Sequence, residues 1–288
     1  PQTSPAPSAS ENPQTSAWQG TIEELGGVIT VRNPDSGLWD NAAAPPLRFE
    51  PDGVFGGPAA QIEAIGAAVV DVEGNVYIYD SSRHELIGFD PAGTVRWRAG
   101  GEGNRLEEFS AVRGATYDGD EMIYLVNQNG ARLDTWSTNG SFVGSIELAE
   151  LGIGRTFMGG FLPPNRIALL ADDAFASATN AYVVLELGDQ PRVVERFRIA
   201  ADPLIPIPPG IVLQLSHYFD GNRILVGTWE RYLLRVYDDT GKLQRRVVRS
   251  VDYLRRPGFA ARGDQFAAIS FGGLGAPIVM PTGLWIVV

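Results

Sequence analysis

Two histidines, His84 in SSRHEL and His217 in LSHYFDGN, are the only imidazoles in the chain. Imidazole is the side chain that changes charge near neutral pH, so each is weighed first as an acid, base or metal ligand. His217 is followed by Asp220 and Glu230, and the three together are the candidates for a metal site. His84 lies between Arg83 and Glu85. Its plainer reading is a turn residue, and that of His217 is a strand residue. YDGDE at 117–121 brings Asp118, Asp120 and Glu121 together. It lacks the full D-x-D-x-D-G-x₅-E spacing of a calcium loop and reads as a hairpin turn. There is no G-x-S-x-G elbow for a serine nucleophile. With no cysteine, disulfides, thiol catalysis and zinc–thiolate sites are excluded. GGEGN at 100–104 and GGLGAP at 272–277 are glycine-rich, but neither opens a helix after a parallel strand, as a phosphate loop does. No cofactor is expected.

Charge narrows the partners. Residues 1–150 hold 22 acidic and 8 basic side chains, a net of −14; residues 151–288 hold 12 and 15, a net of +3. The sum is −11. Such an acidic surface repels phosphate backbones, so nucleic acid is not an expected partner. The basic residues cluster late: Arg245, Arg246, Arg249, Arg255 and Arg256. They suit a solvated strand edge, or docking on an acidic protein or anionic lipid headgroups. No apolar run reaches the length of a transmembrane helix.

The elements that would position these residues are strands. VITV, AAVV, VYIY, IYLV, YVVLEL, RILVG and LLRVY are short runs of β-branched and aromatic residues, separated by Gly, Asp, Asn and Pro. They recur as groups. At an offset of 47, Tyr77 meets Tyr124, Asp80 meets Asn127, Phe89 meets Trp136 and Gly93 meets Gly140. At an offset of 148, Leu86 meets Leu234, Phe89 meets Tyr237, Asp90 meets Asp238 and Gly93 meets Gly241. Residues 165–198 form a looser copy with an insertion, DDAFASATN. A period of 40–50 residues with four short strands predicts an all-β propeller. A single four-stranded sheet cannot bury both of its faces, and a ring of such sheets does. Phe89, Trp136 and Tyr237 are expected to pack against the next blade, and Gly93, Gly140 and Gly241 to turn the outer hairpins at positive φ. WQGTIEELGGVITVRNP reads as one more outer hairpin, with Gly27 in the place of Gly93. It is expected to close the ring against the C-terminal strands. Six blades are favoured, with five as the alternative.

VYIYDSSRHELIGFDPAG followed by GGEGNRLEEF, residues 76–109, resembles the NHL repeat. Asp80, Leu86, Phe89, Asp90, Gly93, Gly100, Gly101, Gly103 and Phe109 match its pattern, and Arg132-Leu133 supply the basic–aliphatic pair of the second copy. Arg83 stands where the repeat has Asn. The resemblance implies a six-bladed propeller, often secreted in bacteria, with His84 as a turn residue of the repeat. Propellers of the lactonase and lyase kind hold a metal with clustered His, Asp, Glu or Asn on inner strands.

Residues 1–17, PQTSPAPSASENPQTSA, are too polar to build a core and read as an extended tail before a propeller at 18–288. The first residue is not Met, which suggests a removed secretory signal and a periplasmic or extracellular setting. The function expected is a non-enzymatic interaction or scaffold subunit. It would dock on the extracytoplasmic face of a larger membrane complex, such as a respiratory or photosynthetic assembly. Its partner-binding residues would be Pro1, Pro5, Pro7 and Pro13 in the tail and the five late arginines. The alternative is a metal-dependent lactonase or lyase, with His217 and Asp220 in the central channel.

Overall fold

The computed structural model describes residues 19–34, 60–171, 179–200, 216–228, 233–249, 258–262, 265–269, 278–279 and 285–286. Four groups of strands follow one another along the chain. The first is β3 (Ile65–Val70), β4 (Val76–Asp80), β5 (Glu85–Phe89) and β6 (Val95–Gly100). The second is β7 (Ala115–Tyr117), β8 (Met122–Asn127), β9 (Arg132–Ser137) and β10 (Phe142–Glu147). The third is β11 (Thr156–Leu162), β12 (Arg166–Ala171), β13 (Thr179–Glu186) and β14 (Arg192–Ala200). The fourth is β15 (Ser216–Asp220), β16 (Arg223–Thr228), β17 (Leu233–Asp238) and β18 (Leu243–Arg249). Within each group the strands pair antiparallel in chain order. The first strands are neighbours across groups: β3 abuts β7, β7 abuts β11, and β11 abuts β15. Sheets fanned out from adjacent inner strands make a β-propeller.

The second and third blades are apolar on both faces, because each face meets another blade. Tyr77, Tyr79 and Leu86 of the first blade meet Ile123, Leu125 and Trp136 of the second. Tyr124, Val126 and Leu133 pass to the opposite face and meet Ile167, Leu169 and Val183 of the third. Leu170, Tyr182 and Ile199 then meet Ile224, Val226 and Tyr237 of the fourth. Successive residues of a strand point to opposite faces, so a run such as Ile123–Val126 serves two interfaces at once. Each buried aliphatic side chain contributes roughly 1.5–3 kcal/mol.

One expectation is corrected here. Trp136 and Tyr237 pack on the preceding blade, and Phe89 lies on the matching face of the first blade, with Ala60 and Ile78. The repeat shows that these aromatics share a face. Which neighbour that face meets depends on the sense in which successive blades are stacked, which the repeat does not encode.

The turns behave as their residues require. Gly93, Gly140 and Gly241 have φ of 81°, 88° and 79°. Each donates its N–H to the carbonyl three residues back, on Asp90, Ser137 and Asp238. Only glycine takes this conformation without strain. Gly140 also lies against the Trp97 ring, where a Cβ would come within 2.6 Å of it. Trp97 Nε1 donates to the Thr138 carbonyl at 3.0 Å, tying the outer strand of the first blade to the hairpin of the second.

Connectors are clamped by one position of the repeat. The Asp80 carboxylate accepts N–H bonds from Glu63 (2.8 Å) and Ala64 (3.2 Å) in the chain entering the first blade. Asn127 does the same in the second blade, accepting from Ser110 N–H and donating to the Glu108 carbonyl. There a buried Arg132–Asp134 pair, at 2.6 Å, completes the clamp. Arg132 donates further to the Glu108 carbonyl, so its charge is both paired and hydrogen-bonded.

The N-terminal hairpin forms as expected, from β1 (Thr21–Leu25) and β2 (Val28–Asn33), with Gly27 at φ 78°. Its place differs. β2 runs parallel to β18, Arg245 beside Ile29 and Arg249 beside Asn33, so the fourth sheet has six strands. It does not pair with the C-terminal strands β21 (Ile278–Val279) and β22 (Trp285–Ile286), which pair with each other. β19 (Gly258–Arg262) and β20 (Gln265–Ile269) form another two-stranded sheet. An outer strand presents an open row of backbone donors and acceptors, and β2 satisfies those of β18. Four complete blades and two further hairpins are consistent with six units.

Candidate functional site

All four inner strands run the same way, so their C-terminal ends and the hairpins that follow gather at one end of the channel. A cavity of about 490 Å³ opens there. Val69 and Val70 of β3, Tyr117 of β7, Phe161 of β11, and His217 and Phe219 of β15 form its walls. β7 and β11 are locked at this level by a hydrogen bond from Phe161 N–H to Thr116 Oγ1, 3.1 Å. The Phe219 ring lies directly on the β11 backbone. A Cβ on Gly160 would meet it at 2.5 Å, so the paired glycines of TFMGGFL are a condition of this wall.

His217 is half-buried and held edge-on by Tyr182, with ring centroids 6.5 Å apart, and by Phe219 at 5.8 Å. It is one of the residues that line the cavity. Asp220 closes the same strand, but its side chain is outside the described residues, as is all of Glu230. Among the described residues, no three His, Asp or Glu side chains gather closely enough to hold a metal ion.

The rim carries carboxylates. Asp118 Oδ1 accepts N–H bonds from Asp120 (2.8 Å) and Met122 (3.0 Å), the hairpin-turn role read from YDGDE. Asp71 is its counterpart one repeat earlier, accepting from Asn75 N–H (2.8 Å) and from the Tyr77 hydroxyl (2.8 Å). Burial would raise the Asp71 carboxyl, but hydrogen bonds from Asn75, Tyr77 and Glu73 outweigh it and hold it below its ordinary value. Burial pushes the Tyr117 phenol up, and the nearby charges of Asp71, Asp118, Asp120 and Glu73 push it further.

His84 is elsewhere. It occupies the turn between β4 and β5, at the opposite end of the first blade, with φ 55°. Its Nδ1 lies 3.2 Å from the Tyr79 hydroxyl. His is among the few residues that tolerate this left-handed conformation, and the turn reading accounts for it.

Arg245 and Arg246 are exposed on β18, and Arg249 donates to the Pro34 carbonyl at 3.2 Å. The strand is not an open edge, because β2 covers it. Arg255, Arg256 and the tail prolines Pro1, Pro5, Pro7 and Pro13 lie outside the described residues. Sequence reasoning missed Val70, Val72, Tyr218 and Phe219 around the cavity. The adjacent glycines of β11 were the available signal for a close approach at this level. No helix among the described residues is long and apolar enough to cross a membrane.

No family model matches the chain. No curated protein matches it either. Among solved structures, it is similar to hydrazine synthase of Kuenenia stuttgartiensis, with 11% identity and a TM-score of 0.46, over 77% of this chain and 54% of that one. It is also similar to the β-propeller domain of Cps50 (Swd1) from Myceliophteria thermophila, with 11% identity and a TM-score of 0.44, over 76% and 60%. A duf4221-family protein of Bacteroides vulgatus gives 13% identity and a TM-score of 0.47, over 68% and 60%. The chain thus spans little more than half the length of these proteins.

Proposed function

We propose that this chain is a non-enzymatic propeller of the NHL-repeat kind, an interaction subunit docked on the extracytoplasmic face of a larger membrane complex. A respiratory or photosynthetic assembly is the setting this reading favours. The observation that carries it is the β1–β2–β18 surface. β1 is an edge strand whose five residues are all exposed, with Ile22 at 64% and Leu25 at 86%. An open edge with bare aliphatic side chains is a template for another chain. The tail with Pro1, Pro5, Pro7 and Pro13 leads into this strand in sequence, and the exposed Arg245 and Arg246 lie two strands away from it. Of the residues expected to bind partners, Arg245 and Arg246 share a sheet with this hairpin, and the tail precedes it in sequence.

A photo-crosslinking residue placed at position 22 or 25, in cells at native abundance, is expected to give one discrete adduct. The same residue at Val143, exposed on β10, is expected to give none. A chain that migrates as a free monomer, with equal background adducts at all three positions, overturns the reading.

A further inference from the structure

The channel mouth has a chemistry that the docking reading does not use. Its volume falls in the range of about 300–1,000 Å³ typical of small-molecule sites. Its walls combine aromatic and aliphatic side chains with the polar groups of Thr116, Asp118 and His217, and no Lys or Arg is among its described lining residues. Val72, at 82% exposure, and Tyr218, at 36%, line its lip.

The four carboxylates around it have no ion-pair partner among the described residues. Asp71 and Asp118 are held by N–H and O–H donors of their own hairpins. Glu73 receives only the Asn75 amide at 3.4 Å. Arg96, a nearby cation, donates to Asn75 Oδ1 at 3.4 Å and makes no ion pair with these carboxylates. Other carboxylates do find a cation: Glu85 pairs with Arg98, Asp134 with Arg132, Asp239 with Arg166 and Glu186 with Arg192. A recess with aromatic and aliphatic side chains, beside carboxylates that no cation pairs with among the described residues, is complementary to one kind of occupant.

We propose that this mouth binds a small organic cation, an ammonium group on an aromatic or aliphatic body. The body sits between Val70, Phe161 and Phe219. The ammonium lies toward the Tyr117 face and the Asp118 side, where Asp71, Glu73 and Asp120 add their fields. Val72 and Tyr218 fold over the exposed part of the body and shed water from it. The field of the four carboxylates steers the cation in and rejects the matching anion.

The test is calorimetric titration of the full chain at low ionic strength. It is run at about pH 8. The probes are 2-phenylethylammonium and 3-phenylpropionate, which share a body and differ in charge. The cation is expected to bind roughly ten-fold or more tightly than the anion. Glu73→Gln with Asp120→Asn, both at exposed positions, is expected to weaken the cation several-fold without disturbing the fold. Val72→Lys, which places a cation at the lip, is expected to abolish the preference. Equal affinity for the two probes overturns the proposal. So does no binding of either at millimolar concentration, or a cation affinity indifferent to both variants.

Discussion

At the scale of single residues, Asp80 and Asn127 show how one repeat position does one job with two chemistries. Both hold the incoming connector by its backbone, but only Asp80 carries a charge that can be titrated. Burial alone would raise its carboxyl. Backbone N–H groups of Glu63, Ser82, Ala64 and Arg83 outweigh burial and hold it below its ordinary 3.8. A carboxyl depressed in the folded state stabilises the fold above its unfolded value, and that stabilisation is lost as pH falls through the folded value. Asp80→Asn removes an acceptor from the Glu63 N–H and is expected to cost about 1–3 kcal/mol at pH 7 in urea denaturation. As pH falls below about 4 the carboxyl of the unfolded chain protonates first and the native one lower still, so the gap between parent and variant narrows. A gap that stays constant down to acid unfolding contradicts this account. His84 and His217 belong to the same scale. A sequence shows a histidine and its neighbours. It does not show that Tyr182, 35 positions away, stands edge-on to His217.

At the scale of elements, much of the architecture was legible, for a physical reason. A hairpin turn demands a glycine at a fixed offset from its strands, so the glycines of the outer turns carry the register. The outer strands begin at Val95, Phe142 and Leu243, which reproduces the offsets of 47 and 148 set by the glycines. The pairing of β2 with β18 was not legible. Backbone hydrogen bonds choose that edge, and backbone groups are the same in every residue. Gly140 tests the turn itself. Alanine there must adopt φ 88° and push into the Trp97 ring, which also bonds Thr138. Gly140→Ala is expected to cost at least about 1–2 kcal/mol, with a red shift of tryptophan fluorescence as Trp97 is displaced. Gly144, where a Cβ meets nothing within 4 Å, is the control, and its replacement by alanine leaves the fluorescence unchanged. Equal effects at the two positions contradict the packing described.

At the scale of the whole molecule, the blades form a chain of nearest-neighbour interfaces, and stability is set by how many of them each strand shares. β8 contributes to two, through Ile123 and Leu125 on one side and Tyr124 and Val126 on the other. β12 does likewise, with Ile167 and Leu169 toward the second blade and Leu170 toward the fourth. Among the described residues β1 contributes to none, and its one strand partner is β2. Amide exchange reads this difference, because opening a strand costs whatever contacts it must break. Amides of β8 and β12 are expected to exchange only on global unfolding. Those of β1 that face away from β2 are expected to exchange within the shortest labelling time. Addition of the partner that the docking reading requires should slow β1 and β2 while leaving β8 unchanged. A cation in the channel mouth should instead slow β7 and β15. The two patterns are separable, so one experiment distinguishes a partner on the hairpin from a ligand in the channel. Protection of β1 equal to that of β8 in the isolated chain would show that the hairpin is already packed and that its edge is not available for docking.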